Sequence, residues 1–98
     1  MTQRRWDNLE SLYLGNNNLG ATGAKMLTRG DWNEVQRVIL NGNRLGSTGV
    51  GHLAKGRWGN VNHLELCNNH ITDEGAVKLS EGNWPWVANL LLSTTGLI

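Results

Sequence analysis

The stretch "NHLELCNN" places His63, Glu65 and Cys67 two residues apart, and imidazole, carboxylate and thiol are the groups from which metal sites and nucleophilic centres are made. On a strand, residues two apart share one face, so the three would line up on the open side of a sheet, with His70 nearby in a turn. Successive members of such a row stand roughly 6.6 Å apart, which is awkward for a shared metal ion. The H-x-E pattern of zinc deaminases needs a P-C-x-x-C partner, which the chain lacks. Gly42, Gly46, Gly49 and Gly51 are dense but match neither the G-x-x-x-x-G-K-[ST] nor the G-x-G-x-x-G spacing of phosphate-binding loops. No catalytic residue, cofactor or metal site is expected, and plain surface or contact with a partner is the reading given to His63, Glu65 and Cys67.

Bulk properties point the same way. A chain of 98 residues has room for one small core, so residues 1–98 are read as a single domain. Nine Lys+Arg against eight Asp+Glu leave a formal charge of +1, which provides no overall field to draw in nucleic acid or an anionic membrane. Cys67 is the one cysteine, the opening "MTQRRWDNLE" lacks the apolar core of a signal peptide, and no Asn-X-Ser/Thr acceptor occurs. No apolar run approaches the roughly 20 residues of a membrane span. A cytoplasmic location is expected from these features together.

The elements that must position these residues are set by a repeat. Trp6, Trp32, Trp58 and Trp84 follow one another at intervals of 26 residues, a period of the size that marks stacked repeats. On that frame Leu9, Leu12, Leu14, Asn17 and Leu19 align with Val35, Val38, Leu40, Asn43 and Leu45, and then with Val61, Leu64, Leu66, Asn69 and Ile71. The repeats run over 6–31, 32–57 and 58–83, with a partial copy at 84–98 that carries Thr95 where Asn is expected.

Within each copy, "SLYLG" and its equivalents alternate apolar and polar side chains, as in a short strand with one wet face. Asn17, Asn43 and Asn69 follow in turn-rich segments, where an inward Asn can satisfy backbone groups of the bend, and a stacked Asn ladder is expected. Leu27, Leu53 and Leu79 lie three residues beyond Ala24, Val50 and Ala76, one stripe of a short helix facing the strands. Ser47 and Asp73 are suitable N-caps, with Thr22 the nearest substitute in the first copy. Gly30, Gly56 and Gly82 stand where a left-handed C-cap is expected. Gly23, Gly49 and Gly75 would permit close helix-to-strand approach, and the tryptophans would stack on one another.

The pattern L-x-x-L-x-L-x-x-N-x-L carried by these columns resembles the leucine-rich repeat, and the second half of each copy looks like the ribonuclease-inhibitor type. The repeat is shorter than the inhibitor's, and Asn replaces Cys in the ladder. The resemblance implies an α/β leucine-rich-repeat solenoid of about three and a half 26-residue repeats: a short right-handed β/α coil with parallel strands on the concave face and helices on the convex face. It also implies a non-catalytic module that binds a protein through the exposed strand positions of the concave face. In this chain those positions are Ser11, Tyr13 and Gly15; Arg37, Ile39 and Asn41; His63, Glu65 and Cys67; Asn89, Leu91 and Ser93. Tyr13, Ile39 and Leu91 would be apolar anchors and Arg37 and Glu65 directional charges, with Tyr13 and Arg37 the hot spots by residue type.

A second possibility comes from the ends of the repeat pattern. "MTQRR" aligns with the tail of a helix ("LTRGD", "LAKGR", "LSEGN"), and the last copy stops just past its strand. Repeat stacks normally carry polar caps, so either a piece of a longer array or self-association through uncapped ends is expected as the alternative. Trp86, in the polar column of Asn8, Glu34 and Asn60, would then be a terminal cap or an end contact.

Overall fold

The computed structural model describes residues 9–82, 84 and 89–92. Alternation of apolar and polar residues yields three-residue strands: β1 (Ser11–Tyr13), β2 (Arg37–Ile39), β3 (His63–Glu65) and β4 (Asn89–Leu91). They form one parallel sheet in the order β1-β2-β3-β4, with Ser11 opposite Arg37, Arg37 opposite His63, and His63 opposite Asn89. The register between neighbouring strands is therefore one sequence period, and every side chain on the sheet has its equivalent in the next copy beside it. Between strands run α1 (Gly20–Leu27), α2 (Gly46–Leu53) and α3 (Asp73–Ser80), with α1 packed on α2 and α2 on α3. Parallel strands and three helices among the described residues make an α/β repeat fold.

The core is a set of stacked columns. Val35 and Val61, Leu12, Val38 and Leu64, Leu40 and Leu66, and Leu45 and Ile71 are buried from the strand side, while Ala24, Val50, Leu53 and Leu79 close it from the helices. Leu9, Leu14, Leu19 and Leu27 occupy the same columns in the first copy but are only half-buried.

Each turn carries a pair of left-handed residues flanking the ladder asparagine. Asn16 and Asn18 (φ 57° and 53°), Gly42 and Arg44 (69° and 57°), and Asn68 and His70 (59° and 58°) share this geometry. Asn and Gly accept it readily, and its effect is to turn the residue between them inward. Asn43 and Asn69 are fully buried. The Asn43 Oδ1 accepts from the backbone N–H of Asn17 at 2.8 Å and of Leu19 at 3.3 Å, and its Nδ2 donates to the carbonyls of Leu14 (2.8 Å) and Leu40 (3.0 Å). Asn69 repeats the arrangement on Asn43, Leu45 and Leu40. Asn17, in the first described coil, is exposed and donates to Gly15.

Three local expectations are corrected. Ser47 and Asp73 do not cap: the N-cap positions are Leu19, Leu45 and Thr72, without side-chain cap bonds. Ser47 lies inside α2, and its hydroxyl meets that of Thr72 at 2.7 Å, tying α2 to the start of α3. Asp73 and Glu74 fall in the first turn of α3, where the helix dipole favours negative charge.

Gly30, Gly56 and Gly82 are not left-handed, and the C-caps Thr28, Ala54 and Glu81 are right-handed. Those glycines leave room for the indoles instead: a Cβ on Gly30 would stand 2.6 Å from Trp32 Cε2, and one on Gly82 2.5 Å from Trp84 Nε1. Gly75 serves contact between helices rather than between helix and strand, since its Cβ would meet Ile71 Cγ2 at 2.6 Å and Ser47 Cα at 3.1 Å.

The tryptophan column stacks, with ring centroids 6.2 Å apart for Trp32 and Trp58 and 5.8 Å apart for Trp58 and Trp84, the planes within 9° of parallel. Trp32 Nε1 donates to the Leu27 carbonyl and Trp58 Nε1 to that of Leu53, while the buried Trp84 Nε1 has no acceptor among the described residues. Trp6 and Trp86 lie outside the described residues.

Candidate functional site

One face of the sheet is covered by helices and the other is open. Residues alternating with the buried Leu12, Val38 and Leu64 point outward in parallel rows. One row reads Ser11, Arg37, His63 and the next Tyr13, Ile39, Glu65; Gly15, Asn41 and Cys67 follow one strand position further on. Tyr13 is 62% exposed, Arg37 is exposed, and Ser11, Ile39, Asn41, His63, Glu65 and Cys67 are half-buried. Asn89 and Leu91 continue the rows by backbone register, which is as far as their description goes, and Ser93 lies outside the described residues.

The side chains at the centre are cross-linked. Glu65 Oε2 and His63 Nε2 are 2.7 Å apart, and Glu65 Oε1 accepts from Asn41 Nδ2 at 2.8 Å across the strand gap. Asn41 Oδ1 in turn accepts from the Cys67 backbone N–H at 2.7 Å. Adjacent members of the row would be too far apart for a small ion to bridge at the backbone, but two long side chains leaning along a strand close the gap themselves. His63 and Glu65 thus satisfy each other, and among the described residues no group of three His, Cys, Asp or Glu is arranged to hold a metal ion. His70 is exposed in its turn. On the other side of the face, the neighbouring side chains of Ser11 and then Arg37 draw the Tyr13 phenol below its ordinary 10.0.

The hydrogen bonds from His63 and then Asn41, against an opposing desolvation, keep the Glu65 carboxyl below its ordinary 4.5. A carboxyl lowered in the folded state stabilises the fold fully above its unfolded pKa, and that stabilisation disappears as pH falls through the folded value. Glu65→Gln is therefore expected to lower the urea midpoint near pH 7, and the gap to wild type is expected to narrow progressively as the pH falls below the ordinary carboxylate range. A gap between the two proteins that persists unchanged in acid would assign the effect to shape rather than charge.

Together these residues rim an open depression of about 340 Å³ lined by Tyr13, Arg37, Ile39, Asn62, His63 and Glu65. Asn62 was not singled out by the sequence reading. It belongs to the polar column of Glu10 and Gln36, which precedes each strand, and that column was the available signal. The face offers a phenol, a guanidinium, an aliphatic side chain and a tied carboxylate on a sheet whose geometry is already fixed.

No helix among the described residues is long and apolar enough to cross a membrane. No curated protein matches the chain. A family model described as Leucine Rich repeat matches residues 8–27 and 60–80, two segments that begin two 26-residue periods apart. With parallel strands and three helices hung on that same period, the matches support a leucine-rich repeat protein, a kind of domain that generally mediates protein–protein binding and is typically non-catalytic.

Proposed function

We propose that this chain is a binding module of the ribonuclease-inhibitor-like leucine-rich-repeat type, a short solenoid that recognises a partner protein through its concave strand face. The observation that carries this reading is Tyr13, an aromatic side chain 62% exposed on the sheet beside Ile39 and Arg37. An exposed aromatic next to an arginine on a rigid sheet is the composition of a binding hot spot, and little ordering is lost when a partner docks on it.

The test pairs Tyr13→Ala with Ile39→Asp. Tyr13 is exposed, so Tyr13→Ala is expected to keep wild-type thermal stability within about 0.5 kcal/mol. Ile39 is half-buried and opposite Glu65, so Ile39→Asp is expected to cost about 1–2 kcal/mol, and folding of this variant is verified by its melt before binding is read. Partners selected from a displayed protein library on the wild-type chain are expected to lose about tenfold or more in affinity for either variant. Partners that bind both variants as well as they bind the wild type would place recognition elsewhere.

One observation favours self-association through the ends as the alternative. Leu90 continues the core column of Leu12, Val38 and Leu64 yet is 46% exposed, beside an apolar depression of about 330 Å³ lined by residues including Leu64, Leu79 and Trp84. On that reading Leu90→Asp and Trp86→Ala change the mass seen by light scattering, and Tyr13→Ala does not.

A further inference from the structure

We infer that the open sheet face seats an acidic side chain of an extended partner segment on Arg37, with an apolar neighbour of that side chain against Tyr13 and Ile39; this rests on the sheet face being the binding surface. The reasoning starts from which charges on the face are already answered. Glu65 is occupied on both oxygens, by His63 at 2.7 Å and Asn41 at 2.8 Å. Among the described residues the ion pairs are His63 with Glu65 and Lys78 with Glu74, so no described carboxylate answers Arg37. Its cross-strand neighbours are Ser11 and His63, and the neutral phenol of Tyr13 lines the same depression beside it.

A guanidinium carries five N–H donors in a planar fork that matches a carboxylate two bonds at a time. One phenol leaves most of that fork to solvent. A partner that covered Arg37 with neutral or cationic groups would strip its water without replacing the hydrogen bonds. A partner carboxylate replaces them with short, charge-assisted bonds.

Position then narrows the geometry. Glu65 lies one strand beyond Ile39 and repels a second carboxylate, which places the incoming acid on the Tyr13 side of Arg37. There the ring of Tyr13 and the half-buried Ile39 form the adjoining apolar surface. Three strands at a spacing of about 4.8 Å cover about 10 Å, the reach of roughly three extended residues, so a short motif with an acid beside an aliphatic or aromatic residue fits.

The experiment is a selection of random displayed peptides, each on the order of a dozen residues, on the full chain and on three variants. For the wild type, enriched peptides are expected to carry Asp or Glu beside an apolar residue. Arg37→Glu is expected to weaken them by about tenfold or more and to enrich Lys- and Arg-bearing peptides instead. Lys55→Glu, which makes the same charge change at an exposed position beyond α2, is expected to leave the wild-type set unchanged. Arg37→Gln, neutral and of similar length, replaces the reversal if that variant does not fold. Peptides lost on Ile39→Asp yet without acidic bias would overturn this inference and leave the sheet-face reading standing. Peptides indifferent to Ile39→Asp and Arg37→Glu alike, or no enrichment at all, would overturn both.

Discussion

Asn43→Leu is expected to remove on the order of 4 kcal/mol of stability or more, enough to abolish a cooperative melt at ambient temperature in a chain of this size. Asn43 is fully buried, and four hydrogen bonds of 2.8 to 3.3 Å radiate from its amide to Asn17, Leu19, Leu14 and Leu40. Leucine has nearly the same volume but leaves two N–H groups and the Leu14 carbonyl without that partner. Each buried polar group left unsatisfied costs about 1–3 kcal/mol, against a total of roughly 5–15 kcal/mol for a domain of about 100 residues. The Leu40 carbonyl keeps its bond from Asn69, so the loss falls mainly on the preceding turn.

Asn17→Leu is the internal comparison, because Asn17 occupies the same column but is exposed, and its loss is expected to cost about 1 kcal/mol or less. Asn43→Asp retains the acceptor but aims a carboxylate at carbonyls that need a donor, so it is expected to fall near the leucine variant. Urea unfolding of the three variants side by side decides the matter. Equal midpoints for Asn17→Leu and Asn43→Leu would show that the ladder contributes no more when buried than when exposed.

That ladder also shows how far the sequence could be read. Period-2 alternation around Leu12, Val38 and Leu64 placed the strands, and the in-phase asparagines placed the turns, because both signals recur every 26 residues and average out accident. The left-handed pairs flanking each asparagine were not read. Arg44 and His70 stand in one of those columns, and neither residue type announces positive φ as glycine does.

Helix starts were misread for a related reason. Ser47 and Asp73 have the side chains of caps, but Gly20 and Gly46, at φ 67° and 65°, turn the chain into α1 and α2 by backbone freedom alone. Thr72 occupies the same column in the third copy and is extended at φ −99°, as suits a β-branched residue that avoids the left-handed region. On the open face, strand periodicity put His63, Glu65 and Asn41 on one side; that Glu65 would be held from both directions depends on side-chain reach, which spacing alone does not encode.

The tryptophan column carries the second large effect, and here the expected result separates packing from hydrogen bonding. Trp58 is fully buried, with Trp32 stacked on one side and Trp84 on the other. Trp58→Ala is expected to cost about 3–5 kcal/mol for the cavity, with a further 0.5–1.5 kcal/mol, approximately, for each aromatic pair lost. The Leu53 carbonyl, which accepts from Trp58 Nε1, also accepts from the Gly56 N–H, so the missing indole donor adds little.

Trp58→Phe keeps a ring in the stack but has no N–H, and is expected to recover roughly half of the alanine loss. Gly56→Ala tests the same column from outside, because its new methyl meets Trp58 Nε1 and pushes the ring without removing it. Near-ultraviolet circular dichroism reads the stack directly, and thermal melts read its energy. All three variants should lose the aromatic signal, with stability falling furthest for Trp58→Ala. If Trp58→Phe proved as unstable as Trp58→Ala, the hydrogen bond to Leu53 rather than the stacked surface would be what the column contributes. The glycine at that position would then serve the donor's alignment instead of the ring's packing.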